Sequence, residues 1–224
     1  MTTKAKARTR KSRKAPRTVL HVLLDMTGSM FRIKDVTLDA LNEYLGGLKE
    51  GKEAEGFEVS VSVFNSAERV KPIREAEPVE EFAEVTTREY QPNAATPLYD
   101  AIGESIHAVA RDAKKDPVLF VIQTDGLEND SREYKRKDIL KLVETMTSQG
   151  WQFVFMGCEL DAMAEGANIG IAAGNTISYD YSPGSTRRVF EAATASTTAY
   201  AASGSIPTND WFDASSDKAE KKTD

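Results

Sequence analysis

Three uninterrupted apolar runs constrain this chain more than any other feature: VLHVLL at residues 19–24, PVLFVI at 117–122 and WQFVFM at 151–156. A strand with one face in water alternates apolar and polar residues, whereas continuous runs rich in Val, Ile, Leu and Phe suit central strands of a parallel sheet, covered on both faces. Parallel neighbours need crossovers of a dozen residues or more, usually helical. Helical spacing is present between the runs. Leu38, Leu41, Leu45 and Leu48 fall within residues 31–50; Leu98, Ile102, Ile106 and Val109 follow Thr96-Pro97; Ile139, Val143 and Met146 precede Gly150. Proline at a first helical turn is a favoured opener.

The remaining segments complete the pattern. FEVSVSVF at 57–64 alternates with period two, and Asn65-Ser66 can turn it into a short partner strand at 68–73. Residues 74–95 are acidic, contain Pro78 and Pro92 and show no period, which predicts an irregular surface path. A short last strand at 175–179 precedes a helix with Val189, Ala193, Ser196 and Tyr200 on one side. The predicted fold class is α/β: a doubly wound, mostly parallel central sheet with one antiparallel edge strand and helices on both faces. A chain of 224 residues suits one such domain. The expected boundaries are a basic disordered tail at 1–17, a single domain at 18–203 and a polar flexible tail at 204–224.

Charge is unevenly placed. Residues 1–17 hold 8 of the 29 Lys and Arg and no acid, so the rest of the chain carries 21 basic against 35 acidic residues, a net −14. The leading segment reads either as an electrostatic arm for nucleic acid or another polyanion, or as a solubilising leader. A gel-shift titration of the full chain beside a deletion of residues 1–17 separates the two, and equal retention by both forms would end the arm reading.

No stretch nears the ~20 apolar residues that span a bilayer. The run at 19–24 is too short for a signal peptide and ends at Asp25, so the expected location is cytoplasmic, without a membrane partner. The single cysteine, Cys158, excludes an internal disulfide and reads as a reduced, buried thiol ahead of a reactive one. His21 lies within a strand and His107 on a helix, and both read as structural.

Ligands of open parallel sheets bind outside the carboxyl ends of the strands, where strand order reverses. Three strand exits therefore matter. The first reads Leu24-Asp25-Met26-Thr27-Gly28-Ser29-Met30, in which Asp25, Thr27 and Ser29 stand at alternate positions and supply one carboxylate and two hydroxyls. Such oxygen-only chemistry suits Mg2+ or Ca2+, whereas zinc prefers His or Cys. The same residue types are also the best helix N-caps. Thr96 before Pro97 poses the same choice between cap and ligand. The third exit, Gln123-Thr124-Asp125-Gly126, places Asp125 at a strand end.

This set resembles the metal ion-dependent adhesion site (MIDAS) of von Willebrand factor A (vWA) domains of the intracellular bacterial or phage type. That family's pattern is Asp-x-Ser-x-Ser after the first strand, a Thr before a mid-chain helix, and an Asp, often followed by Gly, after the fourth strand. Asp25, Thr27, Ser29, Thr96 and Asp125 match it, with Thr27 in place of the first Ser. The resemblance spans residues 18–203 and implies the Rossmann-like vWA fold. It further implies Mg2+, or else Mn2+ or Ca2+, held by the three hydroxyls directly and by the two carboxylates directly or through water. Met26, Met30, Tyr99, Glu128, Asn129 and Asp130 are candidate rim contacts, although the two Met also suit ordinary packing and Asp130 or Ser131 could cap a following short helix.

Function then divides three ways. The leading expectation is a non-enzymatic protein-interaction module whose partner supplies a carboxylate; the resemblance implies an adaptor beside an AAA+ ATPase of the MoxR or chelatase kind. A metal-dependent hydrolase is the second class, but the motif loops offer no His, Cys or Lys as base, and no Gly-rich phosphate loop with its Lys is present. A nucleic-acid- or virion-associated structural protein is the third. It rests on the basic tail alone, against the repulsion between an acidic body and phosphates.

Overall fold

The computed structural model describes residues 17–51, 56–159, 161–203 and 211–212. Six strands form one sheet: β1 (Thr18–Asp25), β2 (Phe57–Asn65), β3 (Arg69–Pro78), β4 (Val118–Thr124), β5 (Gln152–Cys158) and β6 (Thr176–Tyr179). Their order is β3-β2-β1-β4-β5-β6, and only the β2–β3 pair is antiparallel. The doubly wound sheet with one antiparallel edge strand is as expected.

Among the described residues five α-helices cover the sheet: α1 (Lys34–Glu50), α2 (Leu98–Ala113), α3 (Arg136–Ser148), α4 (Ala162–Asn168) and α5 (Pro183–Ser203). Side chains of a strand point alternately to its two faces, so each apolar run feeds two cores. Leu20, Val22, Leu24, Leu119, Val121, Val154 and Met156 pack with α1 and α5. Val19, Leu23, Phe120, Ile122, Phe153 and Phe155 pack with α2 and α3. That division explains why the central runs have no polar phase.

Three stretches depart from the sequence-based expectation. β3 continues to Pro78, and the path beyond it is not confined to the surface: Val79, Phe82, Val85 and Tyr90 are buried in the α1–α5 core. Val79, Phe82 and Val85 recur every third residue, but Pro78 and the acidic Glu80, Glu81 and Glu84 mask so short a run, and Tyr90 stands apart from it. The short helix α4 was not expected; seven residues give too few turns to show periodicity, and its visible signal is the Asp161 carboxylate accepting the Ala164 N–H at 3.0 Å. α3 ends as expected at a left-handed glycine, Gly150, at φ 93°.

The ends also hold more than the expected tails allowed. Residues 1–16 of the basic tail lie outside the described residues. Arg17, the last of that segment, belongs to the domain: its guanidinium ion-pairs with Glu58, meets Asp116 Oδ2 at 2.5 Å and donates to the Asp112 carbonyl at 2.7 Å. Most of the expected polar tail at 204–224 likewise lies outside the described residues, but Trp211 is fully buried beside Tyr200. The Ser196 hydroxyl donates to its carbonyl, and the Phe212 N–H donates to the Gly174 carbonyl at 3.0 Å. A single aromatic in a polar stretch carries no periodic signal, yet burying it contributes as much as several aliphatic contacts. Trp211→Ala is expected to lower the unfolding free energy by roughly 3–5 kcal/mol, read as a shifted urea midpoint; an unchanged midpoint would show that the domain ends at 203.

Candidate functional site

The sheet order reverses between β1 and β4. β1 hands the chain to α1 on one face and β4 leads to α3 on the other, so their carboxyl ends form the switch point at which open α/β sheets place ligands. Asp25 is the last residue of β1 and Thr124 the last of β4, one step beyond the paired Leu24 and Gln123. The structure brings four of the five expected residues into one hydrogen-bonded group. Asp25 Oδ1 accepts the Thr27 N–H at 2.7 Å, and its Oδ2 accepts the Thr124 hydroxyl at 2.5 Å. Thr27 Oγ1 lies 3.3 Å from Ser29 Oγ, which donates to Asp125 Oδ1 at 2.7 Å.

Thr96, the fifth, packs on the same turn. A Cβ built on Gly126 would stand 2.9 Å from Thr96 Oγ1 and 3.3 Å from its methyl group, so only glycine lets the Asp125 loop approach Thr96 so closely. The backbones are tied as well: the Thr96 N–H donates to Asn129 Oδ1 at 2.9 Å, and the Asn129 N–H returns to the Thr96 carbonyl at 3.1 Å.

Neither Thr27 nor Thr96 caps a helix. Residues 28–33 form a 3-10 turn after Thr27, whose side chain makes no cap bond. α2 starts after Pro97 without a local side-chain cap. Its exposed N–H groups are taken from outside: Tyr99 N–H by Glu128 Oε2 and Asp100 N–H by Ser131 Oγ, each at 3.0 Å. Asp100 in turn accepts the N–H groups of Arg132, Glu133 and Tyr134 at 2.8–3.0 Å. Thr96 is thereby left with no cap to supply, and Thr27 and Ser29 turn toward the carboxylates.

Some expected rim contacts are reassigned by this. Glu128 is a clamp that also accepts the Ser131 N–H and hydroxyl at 2.6 Å. No helix follows directly for Asp130 or Ser131 to cap; α3 begins at Arg136, with Asp138 Oδ2 accepting the Lys135 N–H at 3.0 Å. Met26 and Met30 are buried in the α1–α5 core, as packing residues are. Tyr99 stays half-buried at the edge.

Two tyrosines of the site had no sequence signal. Tyr90 donates to the Asp25 carbonyl at 2.8 Å, from the stretch read as irregular. Tyr181, after β6, donates to Asp125 Oδ2 at 3.2 Å. The strap around Tyr90 is further stitched by the Asn93 N–H to the Met26 carbonyl, the Gly28 N–H to the Ala94 carbonyl and the Ser66 N–H to the Ala95 carbonyl, all at 3.0 Å. Ala94 adopts φ 64°, a left-handed conformation uncommon for a residue with a Cβ, in order to serve it.

Electrostatics follow from burial. Removal from water pushes the Asp25 carboxyl up to about 7 despite the hydrogen bonds from Thr124 and Thr27, and the neighbouring Asp125 charge adds to the rise. Asp125 is also raised by burial, with Ser29 and Tyr181 opposing. Burial pushes the Cys158 thiol up to about 12, which makes it a buried, inert thiol. His21 is lowered to about 3 by burial, with Nδ1 2.7 Å from Ser60 Oγ, so it packs as a neutral ring. No group of three His, Cys, Asp or Glu side chains converges among the described residues. A cation here would rely on two carboxylates and three hydroxyls, a donor set of hard oxygens that fits Mg2+, Mn2+ or Ca2+.

The architecture has close parallels among solved structures. The vWA domain of SpRpn10 superposes with a TM-score of 0.54 at 9% identity, covering 78% of this chain and 94% of that one. The chain has the von Willebrand factor A fold. Proximal thread matrix protein 1 from the mussel byssus, solved with a zinc-occupied MIDAS motif, matches 80% of this chain with a TM-score of 0.54 at 12% identity. The pilus adhesin SpaC from Lactobacillus rhamnosus GG, in its open conformation, matches 82% with a TM-score of 0.64 at 9% identity. This chain spans 45% of the thread matrix protein and 30% of the adhesin. No family model matches the sequence, and no curated protein matches it. Among the described residues no helix is long and apolar enough to cross a membrane.

Asp25 gives a test with a defined sign. Its folded-state value exceeds the ordinary 3.8, so its contribution favours folding at low pH and is lost as pH rises through about 7. At neutral pH its charge therefore burdens the metal-free fold. In Asp25→Asn the amide can donate to Thr124 Oγ1, whose hydroxyl can turn to the Gly126 carbonyl 3.2 Å away. The metal-free variant is expected to melt roughly 2–6 °C higher than wild type near pH 7.5, with the gap closing toward pH 4. A lower melting temperature in calorimetric scans would show that Asp25 is a stabilising group.

Proposed function

We propose that this vWA domain is a metal-dependent protein-interaction module that grips a carboxylate of its partner through a divalent cation, Mg2+ in the first instance, at Asp25, Thr27, Ser29, Thr96 and Asp125. The observation that carries the reading is the hydrogen-bonded group of Asp25, Thr27, Ser29 and Asp125 at the strand-order reversal, with Thr96 held against Gly126. A bound cation supplies a Lewis-acidic seat for one further oxygen. Thr27, Ser29 and Thr96 offer neutral oxygens that leave its charge uncancelled, while Asp25 and Asp125 anchor the hydroxyls. A partner's carboxylate would supply that further oxygen.

Binding is favoured over catalysis by what surrounds these side chains. Among the described residues none of the five hydrogen-bonds to a His, Lys or Cys, and Cys158, the nearby thiol, is held protonated. General acid–base chemistry needs a group within reach of substrate, and Asp25, though pushed up to about 7, is fully buried with its two carboxylate oxygens held by Thr27 and Thr124. The resemblance to intracellular vWA proteins extends the reading to an adaptor beside an AAA+ ATPase of the MoxR or chelatase kind.

Titration calorimetry of the full chain with MgCl2 and with MnCl2 tests the site. One cation is expected to bind per chain, Thr96→Ala is expected to weaken it by about tenfold, and Asp125→Ala should abolish it. Capture of partner proteins on the immobilised chain should be lost in EDTA and with Asp125→Ala. No cation uptake by the wild type would overturn the reading.

A further inference from the structure

Among the described residues three large apolar side chains are exposed: Phe31 at 71%, Leu127 at 56% and Met163 at 46%. Scattered singly, such residues carry no meaning. These three are not scattered. Phe31 follows Ser29 by two positions and Leu127 follows Asp125 by two, while Ser29 Oγ and Asp125 Oδ1 are 2.7 Å apart. Both exposed residues therefore stand two positions along the chain from the partners of one hydrogen bond in the site. Met163 lies in the first turn of α4, on the chain leaving the carboxyl end of β5, and so at the same end of the sheet.

The charges at that end define what the apolar rim can accept. Arg32 is exposed, stands 5.5 Å over the Tyr181 ring, forms no close ion pair among the described residues, and its charge reaches Asp125 of the site. Against it stand Glu128, Asp130, Glu159 and Asp180 on the loops that leave β4, β5 and β6. A ligand with several acids would be repelled by these four, and a strongly basic one by Arg32 and the cation. One carboxylate among apolar neighbours satisfies all of them.

We propose that the partner presents a single Asp or Glu flanked by large aliphatic or aromatic side chains, which pack on Phe31 and Leu127 while the carboxylate meets the cation and lies within the field of Arg32. This specificity rests on the metal-dependent reading above and goes beyond it. Burial of two apolar side chains supplies affinity that a lone carboxylate–metal contact lacks, and it distinguishes this carboxylate from the many on other protein surfaces. The partner is thus an acidic–apolar segment of another protein, not a polyacidic one.

The test uses the full chain in millimolar MnCl2 over immobilised decapeptides that share one central Asp and differ in its flanks: Gly, Leu, Glu or Lys. Leu-flanked peptides are expected to be retained about tenfold more strongly than Gly-flanked ones, and Glu-flanked ones least. The double variant Phe31→Ser/Leu127→Ser, altered only at exposed positions, should lose that preference while taking up MnCl2 as the wild type does. Phe31→Leu should keep it. Equal retention of Leu and Gly flanks, stronger retention of Glu or Lys flanks, or an unchanged preference in the double variant would overturn the inference. Absence of MnCl2 uptake by the wild type would instead overturn the metal-dependent reading on which it stands.

Discussion

Leu24 stands opposite Gln123 in the parallel ladder of β1 with β4, and this register decides where every functional side chain can go. It brings the last residues of the two strands, Asp25 and Thr124, within one hydrogen bond of each other. A slip of one residue would reverse every side chain of β1 between the two cores and turn Asp25 away from Thr124. The apolar residues of β1, β4 and β5 lock the register by filling both faces. The same burial that makes these strands rigid makes their ends a precise frame, so the loops beyond inherit positions they could not hold alone.

The frame carries a cost that the site's chemistry explains. Two carboxylates leave water at one point, and hydroxyls from Thr124, Ser29 and Tyr181 are turned inward to meet them. Hydroxyl groups suit this place because they donate to the carboxylates and carry lone pairs that the cation proposed above would use. Lysine or arginine in their place would neutralise the acids permanently and leave nothing for a cation to do. The residual upward push on Asp25 is the mark of charge only partly compensated by these donors. Sites that bind or react commonly retain such local instability, with the remainder of the fold supplying the stability they lack.

Much of the fold was legible because the central strands are buried on both sides, which forces unbroken apolar runs, and because α1, α2, α3 and α5 each show an apolar stripe. The exits of β1 and β4 were legible for a related reason: Asp25, Thr27, Ser29 and Asp125 are polar residues where apolar runs stop. Contributions made by single residues were not. Tyr90, Tyr181 and Trp211 each act alone from segments without a period, and α4 is too short to show one. The role of Thr96 was ambiguous for a different reason. Whether it caps α2 depends on Glu128 and Ser131, about 30 residues away, and local sequence carries no information on such a choice.

That distant clamp joins the fold to its function. Similarity to solved structures at 9–12% identity establishes a shared framework, and on a shared framework function resides in the loops. Here the loop after β4 does two things at once. Its Asp125 enters the site, while Glu128, Asn129 and Ser131 hold the start of α2 and the backbone of Thr96. The strap before α2 is fastened in turn to the loop after β1 and to the turn after β2. Three strand exits are therefore cross-braced through hydrogen bonds that all end on backbone groups, some from other backbone groups and some from the side chains of Glu128, Asn129, Ser131, Ser66 and Tyr90. The position of the site's oxygen atoms is set by the sheet itself, and outward-facing positions such as Phe31 and Leu127 remain free to vary in identity without disturbing them.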